Sequence, residues 1–166
     1  MTFALTTLEA MVFLPFVLPI CLWVIWSDLS TMKITNRANI ALLAAFLLLG
    51  LFVMSFDVYF WRLAQFAIIL GIAFLANMIG LMGAGDSKFF AAAAPFVAVG
   101  DAGTVLMLLM AITIVAVLTH RLAKHSPLRQ MAPDWESWHR EGKFPMGFAL
   151  GSTLIAYLGL GLFHGA

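Results

Sequence analysis

Long apolar runs are the feature that most constrains the fold of this chain. A membrane-spanning helix needs about 20 predominantly apolar residues, with about 17 tolerable, and runs of this kind follow one another along the sequence. Transmembrane strands would instead alternate apolar and polar residues. Only 10% of the residues are charged and the mean hydropathy is +1.03. Because lipid requires every backbone polar group to be satisfied internally, we predict an all-α, polytopic helical membrane protein.

We predict six transmembrane helices in a single membrane-embedded domain that covers residues 1–166. The fourth and fifth helices come from one apolar stretch, Phe89–Thr119, which is too long for one span and contains the turn sequence Gly-Asp-Ala-Gly at 100–103. The first run lacks a basic segment before it and is therefore retained as a span. The predicted spans are about 10–26, 40–56, 63–82, 88–100, 103–119 and 144–163, with a cytoplasmic loop at about 120–143.

The basic residues orient the predicted bundle. Cytoplasmic loops of membrane proteins carry an excess of Lys and Arg. With six spans, eight of the nine basic residues fall in three loops on one side, and only Arg62 falls on the other. We therefore expect a protein of the cytoplasmic membrane with both chain ends outside. The eight cytoplasmic residues are Lys33, Arg37, Lys88, Arg121, Lys124, Arg129, Arg140 and Lys143.

Two aspartates stand apart from the other acidic residues, which are assigned to outer loops, chain ends or the soluble loop. Asp28 and Asp86 are 58 positions apart, yet span parity places both at cytoplasmic helix ends. Gly83 and Gly85 precede Asp86, and glycines allow unusual backbone angles and close approach of another backbone. When two carboxyls lie close together in a low dielectric, one stays protonated near neutral pH. The pair is therefore predicted to hydrolyse a peptide bond, with one member activating water and the other polarising a carbonyl.

Three short segments resemble one family of peptidases. "GAGD", residues 83–86, matches the Gly-x-Gly-Asp motif of membrane-embedded aspartic peptidases, which include presenilin, signal peptide peptidase and the prepilin peptidases. "SDLSTMKITN" resembles the prepilin peptidase pattern of an aspartate followed about six residues later by Ile-x-Asn, here Asp28, Ile34 and Asn36. "FPMGFALG", residues 144–151, resembles the family's last span.

The chain thus resembles a type IV prepilin peptidase of the compact kind associated with tight-adherence (Flp-type) pilus systems, and Lys88 continues the match after Asp86. The resemblance implies an aspartic endopeptidase with Asp28 and Asp86 as catalytic residues. It implies a prepilin substrate whose short basic leader is cut at the cytoplasmic face, just before a hydrophobic helix. A departure is Thr35, where the family often has proline, and we expect no effect on the chemistry.

Cofactors and binding partners are predicted from composition and from the same resemblance. No metal or other cofactor is expected, because the single cysteine, Cys21, and the scattered histidines offer no ligand cluster. The extra N-methylating domain of large family members, which carries paired cysteines, is not expected here, so the resemblance implies cleavage without methylation. Membrane lipid is an expected partner, whereas a net charge of +1 argues against nucleic acid. The oligomeric state is left open.

Supporting roles are assigned to residues near the two aspartates. Lys88 either steadies the ionised aspartate, meets the substrate, or simply follows the positive-inside rule. Asn36 is expected to cap a helix rather than to bond near the site. Gly147 and Gly151 have a spacing typical of helix packing.

The basic loop before the last span contains the sequence "DWESWHR". Asp134 is expected to cap a short helix there, with Trp135 and Trp138 at the lipid headgroups. A surface that guides the substrate is the alternative role for this loop.

Three other functions are left open by the sequence. An archaeal-type preflagellin peptidase would use the same chemistry. A transporter would use Asp28 and Asp86 to relay protons or bind a cation, and it would favour acidic residues near the middle of the spans. A non-catalytic subunit of a membrane assembly would leave both motifs as coincidences.

Overall fold

The computed structural model describes residues 2–140 and 142–166, so Met1 and Glu141 lie outside the described residues. The described residues form six α-helices joined by short loops and four 3₁₀ helices, with one parallel bridge between Phe3 and Gly165. This confirms the predicted all-α fold. The helices are α1 (Thr7–Thr31), α2 (Asn36–Val53), α3 (Phe56–Met78), α4 (Ala84–Ala93), α5 (Ala102–Lys124) and α6 (Met146–His164).

Five of the described helices are long and apolar enough to cross a membrane, namely α1, α2, α3, α5 and α6. Many of their large apolar side chains face outward, away from the protein interior. Such a surface requires lipid rather than water around the bundle. The prediction of a polytopic helical membrane protein is therefore confirmed.

The fourth predicted span differs most from its prediction. Instead of one helix over 88–100, α4 is followed by two 3₁₀ turns, Ala94–Phe96 and Val99–Asp101. Pro95 explains the break, because proline lacks an N–H and its ring clashes with the carbonyl four residues earlier in an α-helix. A 10-residue helix rises only about 15 Å, half of the roughly 30 Å of hydrocarbon.

The segment 84–101 nevertheless runs the full length of the bundle. At its start, Asp86 lines the same cavity as Asp28, which lies in the last turn of α1. At its other end, the Asp101 carboxylate accepts hydrogen bonds from the backbone N–H groups of Ala4 and Leu5, at 2.8 and 2.9 Å, just before α1 begins. The segment therefore forms a sixth traverse of the bundle although α4 itself is short.

Both ends of the chain lie at the same end of the bundle. The backbone N–H of Phe3 donates to the carbonyl of His164 over 2.9 Å, and that of Ala166 donates to Leu5 over 3.0 Å. An even number of traverses is required for the two ends to meet in this way. The loops after α1, α3 and α5 consequently share the opposite end, and eight of the nine basic residues lie in these loops or in the helix ends beside them.

Helices α1 and α6 pack against each other along most of their length. Gly151 permits the contact, because a Cβ at this position would lie 3.1 Å from the carbonyl oxygen of Cys21 in α1. This confirms the packing role predicted for Gly151. Beside the two helices, the rings of Phe13, Phe46 and Phe96 are fully buried and contact one another.

Three charged residues that we assigned to outer loops or chain ends are in fact buried, namely Glu9, Arg62 and Asp101. Arg62 lies inside α3, with its Nη2 4.0 Å from Oε2 of Glu9. The hydroxyl of Tyr157 donates to Asp101 over 2.7 Å. Their place at this end of the bundle was predicted but their burial was not, and each has a polar partner that offsets the cost of burial. Together they tie α1, α3, α6 and the segment before α5 at the end where the chain termini meet.

Candidate functional site

A cavity of about 400 Å³ lies at the end of the bundle that carries the basic loops. Its lining brings together five of the seven residues to which the sequence assigned a role at the site: Asp28, Asp86, Gly83, Gly85 and Ile34. These five residues come from α1, α4 and the loops after α1 and α3. The remaining lining residues are Met32, Lys33, Ala84, Arg140, Lys143, Phe144 and Met146.

Asp28 lies in the last turn of α1 and is only 5% exposed. Its Oδ2 accepts a hydrogen bond of 2.6 Å from the backbone N–H of Gly147, in the first turn of α6. Helix α1 ends three residues later, where Met32 adopts a left-handed backbone with φ 53°. Such a conformation costs a non-glycine residue about 1–2 kcal/mol. The chain therefore turns sharply from the helix into the cavity wall about one helical turn after Asp28.

Asp86 lies in the first turn of α4, and its side chain folds back over Gly83. A Cβ at Gly83 would lie 2.6 Å from Oδ2 of Asp86, and a Cβ at Gly85 would lie 3.3 Å from that of Ile34. Gly83 has φ −66°, and neither glycine has a left-handed backbone. Of the two properties that glycine allows, these residues therefore do not use unusual backbone angles. Their small size is used instead for close packing of Asp86 and Ile34.

Each carboxylate lies beside the N-terminal end of a helix. Asp86 lies in the first turn of its own helix, and Asp28 accepts from an N–H group in the first turn of α6. Free N–H groups and the helix dipole make such positions favourable for negative charge. The arrangement compensates in part for taking two carboxylates out of water.

Lys88 and Asn36 do not line the cavity but contact each other, with Lys88 Nζ donating to Asn36 Oδ1 over 2.9 Å. Among the described residues, no ion pair joins Lys88 to either aspartate. The prediction that Asn36 caps a helix is wrong, since Thr35 is the N-cap of α2 and its hydroxyl accepts from the Ala38 N–H. The bond between Lys88 and Asn36 instead joins the start of α2 to α4 beside the site.

The loop between α5 and α6 forms one wall of the cavity through Arg140, Lys143 and Phe144. Two predictions for this loop are wrong, namely the helix cap at Asp134 and the lipid contact of Trp138. Trp135, not Asp134, precedes the short 3₁₀ helix Glu136–Trp138. Trp138 is only 5% exposed and packs on rings of the protein rather than facing outward.

Two features of the site were not predicted from the sequence. Gly147 was interpreted as a packing residue, and nothing in the sequence indicated that its N–H would meet Asp28. Arg140 and Lys143 were read only as topology signals, because the sequence does not show that the loop folds back over the cavity. Among the described residues, no group of three or more His, Cys, Asp or Glu side chains is placed to hold a metal ion.

Comparison with known proteins identifies a family for the chain. A family model described as the type IV leader peptidase family matches residues 15–120, which is more than half of the sequence and includes Asp28 and Asp86. Comparisons with curated proteins and with solved structures gave no match. The predicted relationship to prepilin peptidases is thus confirmed at the level of the family: this chain belongs to the type IV leader peptidase family.

Proposed function

We propose that this protein is an aspartic endopeptidase that removes the short basic leader from Flp-like type IV prepilins at the cytoplasmic face of the inner membrane. Asp28 and Asp86 would form the catalytic pair. The observation that carries the proposal is the cavity itself, in which two carboxylates from distant parts of the chain line one space at a bundle end. Membership of the leader peptidase family supports the same reaction class.

The chemistry requires two carboxyls in different protonation states. The ionised carboxylate accepts a proton from water while the resulting hydroxide attacks the carbonyl carbon of the scissile peptide bond. The protonated carboxyl donates a hydrogen bond to the carbonyl oxygen and stabilises the charge that develops there. When the C–N bond breaks, the leaving nitrogen takes up a proton from the pair, so that a carboxylic acid and an amine are released.

The position of the cavity fits a substrate that is partly embedded in lipid. The cavity lies at one end of the bundle, where the last turn of α1 meets the first turn of α4. A peptide segment that leaves the membrane at this end would pass the two carboxylates as it enters water. Acids at the end of a bundle suit hydrolysis at the membrane boundary better than transport through mid-membrane sites.

Incubation of the purified protein in detergent with a Flp-type prepilin tests the proposal. The expected result is release of the leader, seen by mass spectrometry as one cut before the hydrophobic segment, and its absence with Asp28→Asn or Asp86→Asn. A parallel assay with a preflagellin separates the two peptidase functions. Cleavage of neither substrate by a folded wild-type protein would contradict the proposal.

A further inference from the structure

A cluster of stacked rings holds the loop between α5 and α6. The Trp138 ring lies 4.8 Å from the ring of His120, nearly parallel to it, and 5.6 Å from that of Trp135. His120, at the end of α5, is only 7% exposed. The indole N–H of Trp138 donates to the carbonyl of Ala132 over 2.8 Å, which satisfies its polar atom. The cluster therefore fixes the loop against the end of α5.

The cluster is connected to Asp28 by a continuous series of contacts. The ring of Phe144, which lines the cavity, meets the ring of His120 edge-on at 5.8 Å. The next residue, Pro145, is the N-cap of α6 and is fully buried. Two residues later, the N–H of Gly147 donates to the Asp28 carboxylate. His120 is thus linked through Phe144 and Pro145 to the first turn of α6, beside Asp28.

The first turn of helix α6 is held by packing and by the bond to Asp28, and no capping side chain contributes. Its N-cap provides no side-chain hydrogen bond, although capping side chains usually hold the first turn of a helix. If the rings were removed, this turn would be free to shift, and the N–H of Gly147 would move with it. A shift of about 1 Å in a catalytic group can cost about 100-fold in rate.

We propose that His120 and Trp138 are positioning residues, which hold the first turn of α6 so that Gly147 orients the carboxylate of Asp28. The loop and α6 lie beyond the part of the chain that matches the leader peptidase family, residues 15–120. His120 contributes by packing, since its Nε2 has no hydrogen-bond partner among the described residues. The catalytic consequence rests on the proposed function, whereas the structural consequence does not.

Kinetics with a cleavable prepilin test the catalytic consequence. Trp138→Leu is expected to lower kcat at least 10-fold with little change in KM. Trp138→Phe and His120→Phe should recover most of the activity because they keep a ring in place, whereas His120→Ala should not. Trp61→Leu is the matched control, since Trp61 in α3 is 58% exposed on the outer surface. A raised KM with unchanged kcat, or wild-type kinetics in Trp138→Leu, would overturn the proposal.

A double-mutant cycle on thermal unfolding in detergent tests the structural consequence without any substrate. Trp138→Leu and Asp28→Ala are expected to change Tm non-additively, because both disrupt one series of contacts. Trp61→Leu and Asp28→Ala should be additive. The milder pair His120→Leu and Asp28→Ala replaces the first pair if Trp138→Leu does not fold. Additive changes in every pair would refute the positioning role even if the protein cleaves prepilins.

Discussion

Gly147 donates its backbone N–H to the carboxylate of Asp28 over 2.6 Å, although the two residues are 119 positions apart. The contact joins the first and last helices at the cavity that also holds Asp86. When Asp28 is ionised, this bond is charge-assisted and is stronger than one between neutral groups. The candidate site therefore depends on α6, and the short segments around the two aspartates do not complete it alone.

Replacement of Gly147 by alanine should move Asp28 and reduce cleavage about 100-fold. A Cβ at this position would lie 2.9 Å from both Cβ and Oδ2 of Asp28, so the carboxylate must shift. Gly159→Ala is the matched control in the same helix, because nothing lies within 4 Å of its Cβ position. Rates of prepilin cleavage by the two purified variants provide the comparison. Wild-type activity in Gly147→Ala would show that the close contact is not needed.

Asp28→Asn and Asp86→Asn should each reduce cleavage to background while the protein still inserts into membranes. Both carboxyls exchange protons in the proposed reaction, and an amide can act neither as the base nor as the acid. Residues that act as a unit are not additive, so the double variant should resemble each single one. Membrane extraction and gel filtration check that the variants are folded. Appreciable activity of either single variant would rule out the paired mechanism.

Gly83→Ala should impair cleavage by displacing Asp86 rather than by changing the backbone. A Cβ at Gly83 would lie 2.6 Å from Oδ2 of Asp86, whereas a Cβ at Gly71 in α3 would meet nothing within 4 Å. Gly71→Ala is therefore the control and should be neutral or slightly stabilising, since alanine favours helix. Cleavage rates and Tm measured on both variants separate loss of activity from loss of folding. Equal activity in the two would argue that Asp86 does not depend on Gly83.

The sequence was sufficient to predict the class of fold and the candidate aspartates, because both depend on local patterns. Apolar runs predict membrane helices wherever they are long, and short motifs mark Asp28 and Asp86. The break of the helix at Pro95 was harder to predict, since the apolar run continues through it. Whether such a run forms one helix or a short helix with 3₁₀ turns depends on its packing as well as on hydropathy.

Contacts between distant segments could not be predicted from the sequence. Asp101 looked like a turn residue, yet it is buried because Tyr157 and two backbone N–H groups surround it. Trp138 looked like a lipid anchor, yet it stacks on His120 from another helix. In each case the partner is remote in sequence, and no local sequence pattern predicts the contact. The same is true of the bond between Gly147 and Asp28.

Thr35→Ala should destabilise the protein by about 1 kcal/mol, the usual cost of losing an N-cap. The hydroxyl of Thr35 accepts from the N–H of Ala38, whereas the neighbouring Asn36 bonds to an exposed lysine. Asn36→Ala should therefore cost less. Unfolding of both variants in detergent, followed by circular dichroism, measures the difference. A larger loss of stability in Asn36→Ala would instead assign the cap to Asn36.

Labelling in intact cells should place the candidate site on the cytoplasmic side. Eight of the nine basic residues lie at the end of the bundle that holds Asp28 and Asp86, and such residues favour the cytoplasm. We expect Thr2→Cys, at the opposite end, to react with a membrane-impermeant thiol reagent, and Gln130→Cys to react only after the cells are permeabilised.

The native thiol of Cys21 gives little background in this experiment because it is fully buried. The result also tests the sixth traverse, residues 84–101. If this segment returned to the side where it began, Thr2 and Gln130 would be on the same side of the membrane. Labelling of Gln130→Cys from outside would therefore overturn the cytoplasmic location of the α5–α6 loop, and with it the proposal that leaders are cut at the inner face.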